Sequence, residues 1–146
     1  MRSLCTIGFA GKNLEQFVRL LREAQVTGLI DIRLRPTGQL SRYAHQADLK
    51  YVLEHYEGIE YVHAAELAPT GNILDDYRKS KDWNVYVRRF TSLMDERDMC
   101  SLLHSLAGDR QSVVLLCSEA TAEQCHRRLL AEAYTKKHPE TVLRHL

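Results

Sequence analysis

The run Val113-Val114-Leu115-Leu116-Cys117 carries no charged or amide side chain at either parity. A strand with one wet face alternates apolar and polar residues. A strand that is apolar at every position needs cover on both faces, the condition met when helices pack on two sides of a parallel sheet. The rest of the chain reads as that cover. Short apolar segments at 5–10, 29–34 and 59–67 alternate with helical periodicities at Leu14, Phe17, Val18 and Leu21, then at Leu49, Val52, Leu53 and Tyr56. Two more helices follow, on Tyr86, Phe90, Leu93 and Met94 and on Met99, Leu102, Leu103 and Leu106. The expected fold is α/β: a mainly parallel sheet of about four to five strands flanked by helices, in a single compact domain.

Local signals set the expected boundaries. Asn13 followed by Gln16 makes a capping box for the first helix, and Gly58 ends the second. Pro36 stops the strand at 29–34, and residues 37–46, polar and without apolar period, read as a loop over the site. The third strand is expected over Ile59–Leu67, halted by Pro69. Asp95-Glu96-Arg97-Asp98 separates two helices. Thr121 with Gln124 repeats the capping-box pattern and opens the last helix, and Thr141–His145 is expected as an edge strand.

The formal charge of +1 over 146 residues predicts no strong non-specific attraction to nucleic acid or anionic membranes. No stretch approaches the ~20 apolar residues of a membrane span, and the N-terminus has no signal-peptide pattern. The expected compartment is therefore the cytoplasm, with Cys5, Cys100, Cys117 and Cys125 reduced. Their spacing does not read as a disulfide framework.

Chemistry concentrates where the apolar strand ends, in Leu116-Cys117-Ser118-Glu119 and Cys125-His126-Arg127-Arg128. A strand that leads through a turn to a helix start presents free backbone N–H groups and the positive end of a helix dipole. There Cys117 has two readings: a thiol activated by nearby cations, or a packed strand-end cysteine. Cys125 reads mainly as packing, with a resolving thiol or a metal ligand as alternatives. His126 suits a proton carrier for a thiol, and Arg127 either an anion clamp or a partner of Asp31 or Glu119. Asp31 and Arg33 share one strand face, with Arg33 the better ligand candidate and Asp31 the better structural partner. Glu66 and Glu119 are candidate orienting carboxylates, and His63 reads as a satisfied buried histidine. Gly8 and Phe9 form a weak phosphate-loop signal. The cysteines and histidine do not match structural zinc spacings, so no metal ligand is assigned. Walker, dinucleotide, H-E-x-x-H and G-x-S-x-G motifs are absent, and no cofactor is indicated.

Taken in order, Thr6-Ile7-Gly8-Phe9, Asp31-Ile32-Arg33, Glu60-Tyr61-Val62-His63, Glu66-Leu67 and Leu116-Cys117-Ser118-Glu119 through Cys125-His126-Arg127 resemble the domain-of-unknown-function 488 family. Ser118 stands where much of that family has alanine. The resemblance implies the same α/β fold and singles out the same residues. It implies no reaction, and its link to DNA transactions is one of gene and domain company only.

Two functional expectations follow. In the first, an enzyme-like site over the strand C-terminal ends binds a small anionic or nucleotide-like ligand. Cys117 is its reactive thiol, His126 and Glu66 or Glu119 assist, and Arg33, Arg127, Arg42 and Tyr43 hold the ligand. In the second, the chain is a non-catalytic module for nucleic acid that uses Arg33, Arg35, Arg42, Arg127, Arg128 and Tyr43, or a metal-binding protein that uses the Cys/His cluster. A homodimer is compatible with either.

Overall fold

A computed structural model describes residues 1–37 and 42–146. Among these, five strands form one parallel sheet in the order β3-β2-β4-β1-β5. They are β1 (Ser3–Gly8), β2 (Gly28–Asp31), β3 (Glu60–His63), β4 (Ser112–Cys117) and β5 (Val142–His145). Helices α1 (Leu14–Glu23) and α2 (Gln46–Val52) follow β1 and β2. Helices α3 (Gly71–Ser80), α4 (Trp83–Glu96) and α5 (Met99–Ala107) precede β4, and α6 (His126–Lys137) joins β4 to β5.

The unbroken apolar run is the central strand. All of β4 is buried, with β2 on one side and β1 on the other. Its residues alternate between two cores. Val114 and Leu116 join Cys5, Ile7 and Leu29 beneath α1 and α2, where Phe17, Leu21, Leu49 and Leu53 pack. Val113 and Leu115 join Leu4, Ile30 and Ile32 on the opposite face, with Phe90, Leu103, Leu130 and Tyr134 of α4, α5 and α6. Cys117 has the parity of Val113 and Leu115, so its side chain leaves the sheet on the α4–α6 side.

The Asn13 capping box forms as expected, with both reciprocal hydrogen bonds present. Gly58 terminates the second helical segment in the left-handed region, at φ 64°, after a π-helical turn over Leu53–Glu57. Asp98, at φ 45°, separates α4 from α5. The edge position of β5 also matches expectation, and Thr6 Oγ1 and His145 Nδ1 share a hydrogen bond of 2.7 Å across it.

Several boundaries differ from the sequence reading. The first strand begins at Ser3 and ends at Gly8, and the second ends at Asp31. The third is only Glu60–His63, because the chain turns into a 3-10 turn at Ala65–Leu67 before Pro69. There Arg97 Nη1 donates to the Glu66 carbonyl at 3.0 Å, so that turn is held by α4's C-terminus and not by the sheet. The expected loop at 37–46 is partly helical: Arg42–Ala44 is a 3-10 turn and α2 starts at Gln46, while residues 38–41 lie outside the described residues. Helix α6 starts at His126 and not after Thr121, with Cys125 as its extended N-cap. The first turn holds His126, Arg127 and Arg128 with no acidic residue, an arrangement the helix dipole disfavours unless a negative charge lies close by.

Candidate functional site

The C-terminal ends of β2 and β4 open into a pocket of about 300 Å³. Its wall includes Arg33, Arg35, Arg78, Tyr77, Tyr86 and Glu119, and at its base lie Cys117, Cys125 and His126. This is the position at which open parallel sheets bind ligands, because crossovers leave the strand ends uncovered.

The shorter α6 changes the geometry of its first residues. With Cys125 as N-cap, the segment from Ser118 to Gln124 folds back and returns the second sulfur to the first. The Cys125 thiol donates to Cys117 Sγ at 3.1 Å, and Cys117 Sγ lies 3.7 Å from His126 Nδ1. All three residues are buried. His126 Nε2–H donates to the Ile32 carbonyl at 3.0 Å, which leaves Nδ1 directed at the sulfurs. Phe90 packs edge-on against the imidazole, with ring centroids 5.7 Å apart.

The three groups settle each other's protonation. The hydrogen bond from Cys125, followed by the charge of His126, holds the Cys117 thiol well below its ordinary range despite burial. The same bond, with burial and the neighbouring negative charge, pushes Cys125 upward. Burial opposes protonation of His126, but the Cys117 charge and the hydrogen bonds to Cys117 and the Ile32 carbonyl together outweigh it and raise the imidazole's pKa. These shifts favour negative charge on Cys117, the proton on Cys125 and positive charge on His126.

Arg127 sits behind this group at 1% exposure. Its Nη1 donates to the Glu119 carbonyl at 2.7 Å and contacts Cys125 Sγ at 3.5 Å, while its Nε has no partner among the described residues. It pairs with the Glu119 backbone and not with the carboxylate expected from sequence. Gly8 is what lets that backbone approach: a Cβ there would stand 1.6 Å from the Glu119 carbonyl oxygen.

Asp31 and Arg33 form the internal pair that the sequence left open. Arg33 Nε donates to Asp31 Oδ1 at 2.8 Å and Nη2 to Oδ2 at 2.5 Å, and the guanidinium lies 5.3 Å from the Phe9 ring centroid. His63 Nε2 hydrogen-bonds the Arg33 carbonyl at 2.9 Å, so the histidine is satisfied as expected, but it is half-buried and not buried. Other expected site residues lie elsewhere. Glu66 is exposed beside Arg97 and Leu102, away from the cysteines. The Tyr43 hydroxyl donates to the Phe9 and Lys12 carbonyls, next to Phe17, and Arg42 is exposed at the start of the same turn. The arginines named for a nucleic-acid patch do not share one surface, since Arg33 and Arg127 are buried and Arg128 pairs with Glu132 at 3.5 Å.

Tyr77, Tyr86 and Gln124 were not anticipated as pocket residues. Tyr77 donates to Gln124 Oε1 at 3.0 Å and stacks obliquely on Tyr86, so α3 and α4 supply an aromatic wall facing the loop before α6. Only the i, i+4 spacing of Tyr86 and Phe90 was visible in sequence, and it reads equally as core.

Cys117 Sγ, Cys125 Sγ and His126 Nδ1 lie within 4.8 Å of one another, a donor set able to take a thiophilic ion. The same two sulfurs are also placed to share a proton.

The fold is that of a parallel α/β protein, with Cys117, Cys125 and His126 gathered at the strand ends. The chain belongs to the family described as domain of unknown function DUF488, whose family model matches residues 13–134. Searches of curated proteins and of solved structures return no match. Among the described residues no helix is long and apolar enough to cross a membrane.

Proposed function

We propose that the pocket is an enzyme-like site that binds a small anionic or nucleotide-like molecule, with Cys117 as its nucleophile. The observation that carries this reading is the placement of Cys117 Sγ at the pocket base, between a donating thiol at 3.1 Å and the His126 ring at 3.7 Å. A sulfur in that setting is a thiolate without a strong base, as thiol catalysis requires. Buried Arg127 adds a cation against Cys125 Sγ, so positive charge stands beside the sulfur pair as a whole.

In this reading the Cys117 sulfur forms a bond to an electrophilic centre of the ligand. The leaving group departs with the electrons of the broken bond and takes the proton held on His126 Nδ1. Arg35 on the pocket wall offers an anion its guanidinium, Arg33 and Arg78 being engaged by Asp31 and Asp75, and Tyr77 and Tyr86 offer flat faces to a ring. Glu119, exposed at the rim, is the carboxylate placed to orient a polar group. Glu66, Arg42 and Tyr43 have no part in it.

The test compares alkylation of Cys117 by iodoacetate and by iodoacetamide, resolved by peptide mass spectrometry. The anionic reagent should gain on the neutral one relative to a free thiol, and AMP or inorganic phosphate should protect. Slow reaction with both reagents, without protection, overturns the proposal. So does protection of Cys117 that only a chelator lifts, which would assign the donor set to a metal.

A further inference from the structure

We propose that Cys117 and Cys125 form a two-electron redox couple that closes to an intramolecular disulfide when a hydroperoxide enters the pocket. The inference rests on the Cys117 reading above and adds a role for the second sulfur that simple nucleophilic catalysis leaves unused.

Three observations carry it. The sulfurs are 3.1 Å apart, so bonding distance, about 2.05 Å, requires a displacement of only about 1 Å. The residue that must move is an N-cap in extended conformation, at the end of a segment outside helix and strand; its carbonyl accepts from Arg128 N–H at 3.1 Å, a bond that a shift of the Cys125 side chain leaves in place. Both sulfurs line the same pocket, which gives an oxidant access. The other cysteines have different surroundings. Cys5 is buried in β1 under α1 and α2, and Cys100 is buried within α5, among the core residues of α4 and α6.

The chemistry balances within the cluster. The Cys117 thiolate attacks the terminal oxygen of the hydroperoxide and the O–O bond breaks. The alcohol or water leaves with the proton from His126, and Cys117 becomes a sulfenic acid. The Cys125 sulfur then attacks the Cys117 sulfur, its thiol proton joins the departing hydroxyl, and water leaves as the S–S bond forms. The two sulfurs together supply the two electrons that reduce one peroxide. A dithiol reductant returns both thiols by exchange.

Division of labour between the sulfurs suits this sequence. Cys117 is the charged partner that meets the oxidant, and Cys125 keeps its proton until a sulfenic acid is present. Closure removes the nucleophile, so the oxidised protein is silent toward any thiol-dependent ligand.

The experiment treats the whole chain with one equivalent of hydrogen peroxide and maps its peptides without reduction. The expected product is a Cys117–Cys125 linkage lacking two hydrogens, with complete loss of Cys117 alkylation that dithiothreitol restores. In Cys125→Ser, Cys117 should instead stop at a sulfenic acid that dimedone captures. Wild-type protein that leaves Cys125 free while Cys117 proceeds to sulfinic acid overturns the couple, as does a linkage to Cys5 or Cys100. The wild-type map alone decides the matter if the variant does not fold. An intact anionic-alkylation preference with no linkage removes this inference and leaves the nucleophile standing. Loss of both removes the two together.

Discussion

The Tyr61 hydroxyl donates to Asp31 Oδ2 at 2.5 Å, on the carboxylate that Arg33 already grips through both of its oxygens. Burial, and then the Asp31 charge, push the Tyr61 phenol upward, so it remains a donor at all ordinary pH. Asp31 is wholly buried and Arg33 nearly so. Asp31→Ala leaves a buried guanidinium without its counter-charge and should cost about 3–5 kcal/mol. Tyr61→Phe removes one donor from a satisfied carboxylate and should cost about 1–3 kcal/mol. Urea denaturation measures both, and an Asp31→Ala loss below that of Tyr61→Phe would contradict the pairing.

Alkylation should separate the two site cysteines by pH. A lowered pKa keeps Cys117 ionised further into the acid range, so its rate plateau should extend below the ordinary thiol value of about 8.5. Cys125 is shifted the other way and should still be gaining rate above that value. Iodoacetamide rates read by peptide mass spectrometry test the order. Coincident profiles would contradict the shared-proton geometry.

Gly8→Ala should disturb the site from beneath. The added carbon meets the Glu119 carbonyl and the Arg127 guanidinium at 1.6 and 2.9 Å, and the first of these is backbone that cannot swing aside. The expected loss of stability is about 1–3 kcal/mol, with slower Cys117 alkylation as the loop shifts. Unchanged stability and rate would show that the Ser118–Gln124 segment is not held as described.

Two substitutions should leave Cys117 chemistry alone. Tyr43→Phe loses the bonds to the Phe9 and Lys12 carbonyls and should cost about 1 kcal/mol. Glu66→Ala alters an exposed side chain and should be close to neutral. A changed alkylation rate in either would return that residue to the site.

Legibility in the sequence followed the range of the forces involved. The two-faced burial of β4 is written in five consecutive residues, and the Asn13–Gln16 box in four. Both are local and both were readable. The Thr121–Gln124 pattern is equally good locally, yet α6 starts later, because Arg127 draws the Glu119 carbonyl down over Gly8 and a tertiary bond outranks a cap. That delay brings Cys125 back to Cys117, so the detail that shapes the site was the one that local pattern misplaced. Likewise the third strand's apolar run continues to Leu67, but Arg97 from α4 claims the backbone there. Tyr61 as the third member of the Asp31 group was hidden because strand register, Leu29 beside Tyr61, is not written in either strand alone.

The sheet order carries a consequence for biosynthesis. β1 is made before β2 and β3, yet its neighbours are β4 and β5, which follow them in the chain. Until Ser112–Cys117 leaves the ribosome, β1 has no strand to pair with, and the edge of β2 that β4 will cover stands bare. Between the synthesis of β2 and that of β4, a nascent chain therefore holds strand edges without their partners, an aggregation hazard. Insertion of β4 closes that gap, and the strand that joins β1 to β2 delivers Cys117 to its end in the same event.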